Sequence, residues 1–263
     1  MDLQVAGKAF VLVGGTAGMG LAAALELATD GAALAVVGRT PERARAAAAA
    51  LTAAGAAQAI GLSADVRVSA EITAAVDTAA GRLGGLDGIA VTTGLLGHDG
   101  PDVDDEAWDA VFTDVLRGTV RSVQAALPHL ARRGGTVVTT AAYSMRAPEL
   151  ARLPYAAMKS AVATYTKGIA RAHGKHGVRA NCVAPGAIET EALAGLRAAL
   201  AEQRGVPAGG LLEQVMVDEW HLDVALGRPG RPQEVGELIA FLLSPRAGYL
   251  TGALVNIDGG TFF

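Results

Sequence analysis

Short apolar runs recur along the chain at Ala9 to Val13, Leu34 to Val37, Ala59 to Leu62, Gly88 to Val91, Thr136 to Thr140, Val178 to Val183 and Ala253 to Ile257. Their hydrophobicity is continuous rather than alternating, which fits strands covered on both faces and therefore a parallel sheet. Longer alanine-rich stretches with helical periodicity separate them, predicted to start near Gly18, Pro41, Ser69, Asp105, Pro154 and Pro232. Strand and helix thus alternate in chain order, and the pattern predicts an α/β fold: one doubly wound parallel sheet with helices on both faces and right-handed crossovers. The alanine run from Arg43 to Ala54 reads as an ordinary covering helix, since alanine is the strongest helix former. From Glu191 to Arg231 the rhythm breaks into a long, glycine-interrupted helical segment following a strand end, and this segment is expected to be a substrate lid.

Composition narrows the class. The 263 residues suit a single domain spanning 1–263; 51% are hydrophobic and 18% charged, which excludes disorder. A net charge of -4 offers no basic field for nucleic acid or anionic lipid. The single cysteine, Cys182, cannot form an internal disulfide, and its apolar neighbours place it on a buried strand in a reducing interior. Apolar runs end well before the length of a membrane span and nothing reads as a signal peptide, so a cytoplasmic protein is expected.

Chemistry enters after the first strand, where Gly14-Gly15-Thr16-Ala17-Gly18-Met19-Gly20 opens a helix. Gly14 permits a tight turn, Gly18 a close approach of backbone to a pyrophosphate, and Gly20 close helix–strand packing, so a dinucleotide is expected. The second strand ends at Gly38-Arg39-Thr40 without the acid that would hold the ribose hydroxyls of NAD. Arg39 would instead face a 2′-phosphate, favouring NADP(H) with NAD(H) as the alternative; Ala17 supplies no second basic residue from the loop. Asp65, with Val66 after the third strand, would accept a hydrogen bond from adenine or else cap its own turn.

Tyr155 and Lys159 lie four residues apart at the opening of a predicted helix, which puts phenol and ammonium on one face. A nearby cation favours the phenolate, making the pair a device for proton transfer.

These features stand in order with Asn181-Cys182-Val183-Ala184-Pro185-Gly186-Ala187-Ile188-Glu189-Thr190, Tyr249-Leu250-Thr251-Gly252 and Asp258-Gly259-Gly260. Together they resemble the short-chain dehydrogenase/reductase family over nearly the whole chain. The resemblance implies a Rossmann-type domain in which Tyr155 exchanges a proton with the substrate oxygen while the nicotinamide exchanges a hydride with its carbon. Lys159 would hold the nicotinamide ribose and lower the tyrosine pKa. Cofactor contacts are implied at Gly14, Thr16, Ala17, Gly18, Met19 and Gly20, at Gly38, Arg39 and Thr40, at Asp65 and Val66, at Thr92, Thr93 and Gly94, and at Pro185 and Gly186. Ile188 would offer backbone groups to the carboxamide, and Thr190 would reach the carboxamide or a phosphate. Substrate would meet Ala142, Tyr143, Ser144 and Tyr155. A homo-oligomer, tetramer or dimer, is implied as well.

Three positions depart from that family. The catalytic serine stands thirteen residues before the tyrosine, where this chain has Ala142; the strand-four Asn-Asn-Ala-Gly reads Val91-Thr92-Thr93-Gly94; and the helix asparagine aligns with Val115. Ser144, Tyr143 or Thr140 would supply the missing hydroxyl if the loop follows a different path, the alternative being that Tyr143 and Ser144 merely line the wall; Thr92 and Thr93 would fill the other polar role. The reading that results is an NADP(H)-dependent ketoreductase acting on a moderately apolar ketone or secondary alcohol. The alternatives are a catalytically impaired or non-catalytic dinucleotide sensor or scaffold, and a Tyr/Lys enzyme of non-redox chemistry. No metal site is expected. The acidic loop of His98, Asp99, Asp102, Asp104 and Asp105 has no recurring ligand spacing, and Asp104 or Asp105 suits a helix cap. His173 and His176 suit a solvated helix C-terminus. Met216, Trp220 and His221 would anchor the lid.

Overall fold

A computed structural model describes residues 2–94, 100–146, 148, 152–218 and 223–261. Seven parallel strands form one sheet: β1 (Ala9–Val13), β2 (Ala33–Gly38), β3 (Gln58–Ser63), β4 (Gly88–Val91), β5 (Thr136–Thr140), β6 (Arg179–Pro185) and β7 (Leu254–Ile257). Their spatial order is β3-β2-β1-β4-β5-β6-β7. Every residue of β1, β4 and β5 is buried, as the continuous apolar runs require. Alternate residues of β1 point to opposite faces. Phe10 and Leu12 join Leu34, Val36 and Val138 under α1 (Gly18–Thr29) and α9 (Pro232–Leu243), whereas Val11 and Val13 join Ala35, Val37 and Val137 under α3 (Ser69–Arg82) and α5 (Gly118–Leu130). Two apolar layers therefore clamp the sheet, and each fully buried Leu, Phe or Ile contributes about 1.5–3 kcal/mol.

The remaining helices follow the same logic. α2 (Pro41–Ala53) opens with proline in its first turn and buries Ala44, Ala47 and Leu51. α4 (Asp105–Val111) is capped by Asp104, whose carboxylate accepts from Ala107 N at 2.9 Å. It runs through a π-helical turn, Phe112–Arg117, into α5. α6 (Leu153–His173) crosses beside β6 and carries Tyr155 and Lys159. The rings of His173, its last residue, and His176, in the turn that follows, lie 6.1 Å apart.

Sheet order reverses between β1 and β4, so the loops after these two strands diverge and leave a crevice at their C-terminal ends. Beyond β6 the chain leaves the sheet through Ala187 to Thr190 and forms α7 (Glu191–Arg204) and α8 (Leu211–Asp218). It returns at Gly230, whose N–H donates to Ala187 O at 2.9 Å while Glu189 N donates to Gly230 O at 2.8 Å. The two ends of this excursion are thus pinned together over the crevice. Arg228 and Arg231 hold the Glu234 carboxyl down at about 2, with Arg228 the stronger influence, so the return strap stays ion-paired to the start of α9.

Candidate active site

The crevice deepens into a cavity of about 730 Å³. Its first wall is the turn from β1 into α1. A Cβ on Gly14 would meet Thr92 Oγ1 at 2.6 Å, and one on Gly20 would meet Gly14 O at 2.4 Å, so only glycine lets the turn close and the helix sit on the strand. Ala17 at the N-cap gives α1 no side-chain cap, and no acid lies in its first turn. Its orphan N–H groups and positive dipole end therefore face the cavity, the arrangement that accepts a pyrophosphate. Thr190 comes across from the start of α7; a Cβ on Gly18 would lie 3.4 Å from its methyl. Thr16 packs over Gly38, whose own Cβ would meet Thr16 Oγ1 at 2.4 Å. These residues fit a dinucleotide lying along the ends of β1 and β2.

The second wall carries Lys159. Its side chain is 2% exposed, and its Nζ donates to Thr140 O at 2.8 Å and to Thr93 O at 3.3 Å. The ammonium lies 5.4 Å from the centre of the Tyr155 ring. Burial pushes it down to about 8, against smaller upward pulls from Cys182 and Asp114. Burial also pushes the Cys182 thiol up, so Cys182 is uncharged at neutral pH. Asp114 lines the same cavity from the π-helical turn.

Hydroxyl groups around this pair are unequally committed. Thr140 Oγ1 donates to Val91 O at 3.1 Å and Thr92 Oγ1 to Val13 O at 3.2 Å, the latter tying β4 to β1. Ala142 is extended and offers only a methyl. Tyr143 is buried against Met216 of α8. The hydroxyls of Ser144 and Thr93 are buried with no hydrogen-bond partner among the described residues. Val115 is fully buried in the apolar cluster behind Tyr155; a Cβ on Gly94 would lie 3.0 Å from Lys159 Nζ and 3.6 Å from the Val115 side chain.

The third wall is the Pro185-Gly186 turn. Gly186 N donates to Ile257 O at 3.0 Å, and a Cβ on Gly186 would meet Asp258 Cα at 2.8 Å, so this turn and the Asp258-Gly259-Gly260 turn fit only against each other. Asp258 pairs with Arg146 and so fixes the loop that follows Ala142. Asn181 works one layer away: its Nδ2 donates to Leu250 O at 2.8 Å and its Oδ1 accepts from Ala253 N at 3.1 Å, joining β6 to the Tyr249-Leu250-Thr251-Gly252 turn.

Of the residues named from sequence, the cavity brings together Gly14, Thr16 to Gly20, Gly38 to Thr40, Val66, Thr92 to Gly94, Ala142 to Ser144, Tyr155, Lys159, Pro185, Gly186, Ile188 and Thr190. Asp65 stands apart. Arg67, two residues on, engages its carboxylate through backbone N–H and guanidinium and holds its pKa below the ordinary value, so the group caps its own turn, and it does not line the cavity. Sequence reasoning missed Arg43, Asp114, Arg152 and Glu191, all of which line the cavity. Arg43 was within reach of a spacing argument, since it lies one helical turn beyond Arg39. His98, Asp99, Trp220 and His221 fall outside the described residues. Among the described helices none is long and apolar enough to cross a membrane.

A family profile described as Enoyl-(Acyl carrier protein) reductase matches residues 14–261. Short-chain reductase protein NovJ of Streptomyces niveus is 35% identical over 203 residues, which cover 76% of this chain and 73% of that protein. Cyclohexanol dehydrogenase of Rhodococcus sp. (strain TK6) is 35% identical over 209 residues, 76% of this chain and 72% of its own. L-Sorbose reductase from Gluconobacter frateurii, solved with NADPH and L-sorbose, superposes with a TM-score of 0.92 at 27% identity, covering 99% of this chain and 98% of that one. The match thus runs from the glycine loop after β1 to the turn after β7 that seats Gly186, and the chain belongs to the short-chain dehydrogenase/reductase family of oxidoreductases.

Proposed function

We propose that this protein interconverts a ketone and a secondary alcohol on a moderately apolar small molecule, using NADP(H), with Tyr155 as the proton donor and acceptor. The observation that carries the reading is one cavity holding the glycine cradle, the Tyr155 ring and the buried Lys159 ammonium together. When bound, the nicotinamide supplies or takes up the hydride at the substrate carbon. In the reducing direction Tyr155 gives its proton to the carbonyl oxygen, and Lys159 stabilises the phenolate left behind by charge at close range. Lys159 is held to this task by two backbone carbonyls, which fix its Nζ without neutralising it. Arg39, exposed at the end of β2 with no acid beside it in the chain, supports NADP over NAD. Cyclohexanol dehydrogenase among the relatives supports a cyclic secondary alcohol as the first substrate class to try.

The divergence at Ala142 and Val115 is part of the proposal. Ser144 takes over the donor that Ala142 lacks, because its hydroxyl sits two residues on, in the same cavity wall, with no partner to give up. Leaving such a group unsatisfied costs about 1–3 kcal/mol, which a substrate oxygen would relieve. The test is NADPH oxidation with a panel of cyclic ketones, comparing wild type with Tyr155→Phe. Loss of roughly 10²- to 10⁴-fold in rate with NADPH binding retained is expected; full activity in Tyr155→Phe would overturn the assignment.

A further inference from the structure

At the adenosine end of the cavity the structure places two arginines. Arg39 ends the strand side and Arg43 follows in the first turn of α2; both line the cavity. Thr40 gives α2 no side-chain cap, so the helix N-terminus adds its own positive end to the same spot. The carboxylate on this turn, Glu42, is occupied by Arg45 at 2.8 Å. Arg43 reaches the other way: its guanidinium pairs with Glu191, the first residue of α7, which also lines the cavity. Both side chains of this pair are more than half exposed, so solvent screens the bridge and it is worth little by itself. A phosphate monoester brings close to two negative charges and three acceptor oxygens, a stronger partner for the same guanidinium fork.

We propose that Arg43 is the second cation of the 2′-phosphate site, and that Glu191 holds it until the phosphate-bearing dinucleotide takes it over. The proposal rests on the NADP reading above and adds a residue pair to it. Arg39 provides the charge that distinguishes a 2′-phosphate from a 2′-hydroxyl, while Arg43 is shared between that phosphate and the first turn of the segment that covers the substrate. Glu191 accordingly acts as an internal competitor of the cofactor, and phosphate binding frees the start of α7 from α2.

The experiment is a double-mutant cycle on cofactor affinity. Dissociation constants for NADPH, NADH and 2′,5′-ADP are measured by titration calorimetry for wild type, Arg39→Ala, Arg43→Ala, Glu191→Gln and the Arg43→Ala/Glu191→Gln double variant. Arg43→Ala is expected to weaken NADPH and 2′,5′-ADP by about tenfold, the equivalent of one charge-assisted hydrogen bond, and to leave NADH unchanged. Glu191→Gln is expected to tighten both phosphate ligands several-fold, and this gain is expected to vanish in the Arg43→Ala background. A Glu191→Gln gain that persists without Arg43 would overturn the exchange, since Glu191 would then act on the phosphate directly. Equal weakening of NADPH and NADH by Arg43→Ala would overturn the phosphate contact. If wild type binds NADPH no better than NADH and Arg39→Ala changes neither, the NADP reading itself fails and this proposal fails with it; if the Arg39 effect appears without the other two, this proposal fails and the NADP reading stands.

Discussion

Replacing Lys159 by methionine exposes the cost of its burial. A lysine ordinarily titrates at 10.5, and desolvation brings this one to about 8. Below about pH 8 both folded and unfolded chains carry the proton, and the folded state bears the whole penalty, about 3 kcal/mol at 1.4 kcal/mol per pH unit. Between about 8 and 10.5 the folded chain has released a proton that the unfolded chain still holds, so stability rises with pH through that window. At pH 9.5 about 2 kcal/mol of the penalty has been relieved. Methionine keeps the length and removes the charge, and the carbonyls of Thr140 and Thr93 lose their donor equally at every pH. The measurement is therefore the difference in unfolding free energy between wild type and Lys159→Met, from denaturant titrations at pH 7 and pH 9.5 and one protein concentration. Groups remote from Lys159 are common to both chains and cancel, and repeating the comparison in a Tyr155→Phe background removes the neighbouring phenol from the difference. Wild type is expected to gain about 2 kcal/mol on the variant as pH rises. A difference that is flat, or that moves the other way, refutes the argument that desolvation dominates at this site.

Other outcomes follow from the same walls. Ser144→Ala is expected to lower kcat roughly 10²- to 10³-fold, the usual cost of one oriented donor, and Ala142→Ser introduced into that variant restores part of it; an unaffected Ser144→Ala enzyme would remove Ser144 from the mechanism. Arg39→Asp is expected to weaken NADPH at least about tenfold while sparing or improving NADH, read as the ratio of the two dissociation constants. Gly20→Ala drives a methyl to 2.4 Å from Gly14 O; it is expected to cost about 1–3 kcal/mol and to lower Tm by roughly 2–4 °C per kcal/mol in thermal unfolding.

The central strands were legible because a strand covered on both sides is built mainly of apolar residues, and the runs at Ala9, Gly88 and Thr136 sit where β1, β4 and β5 form, the buried Thr139 and Thr140 hydroxyls of β5 being satisfied within the fold. Proline and glycine marked helix starts for the same local reasons, at Pro41 and Pro232. The π-helical turn at Phe112–Arg117 left no such mark, since one widened turn barely alters a 3.6-residue period. Asp65 shows how a motif position is captured by a neighbour: Arg67 lies two residues away, and its guanidinium reaches the carboxylate that the motif reserves for a ligand. Glu191 was invisible as a partner of Arg43 because 148 residues separate them and only the excursion after β6 brings them together. Asn181 stood at the head of the stretch that carried the resemblance, and only the structure shows its amide tying β6 to the turn that precedes β7.

The seating of Gly186 against Asp258 also sets an order of assembly during synthesis. Once the ribosome has passed Val91, the glycine loop, Arg39 and both strands that flank the crevice have all been made. The loop after Ala142 then waits more than a hundred residues for the carboxylate that Arg146 needs, and the turn at Pro185 waits for the backbone it packs on. The layer over α1 and β1 is likewise completed only when α9 is made, so a chain interrupted before residue 258 would lack the backbone that seats Gly186 and the carboxylate that pairs with Arg146.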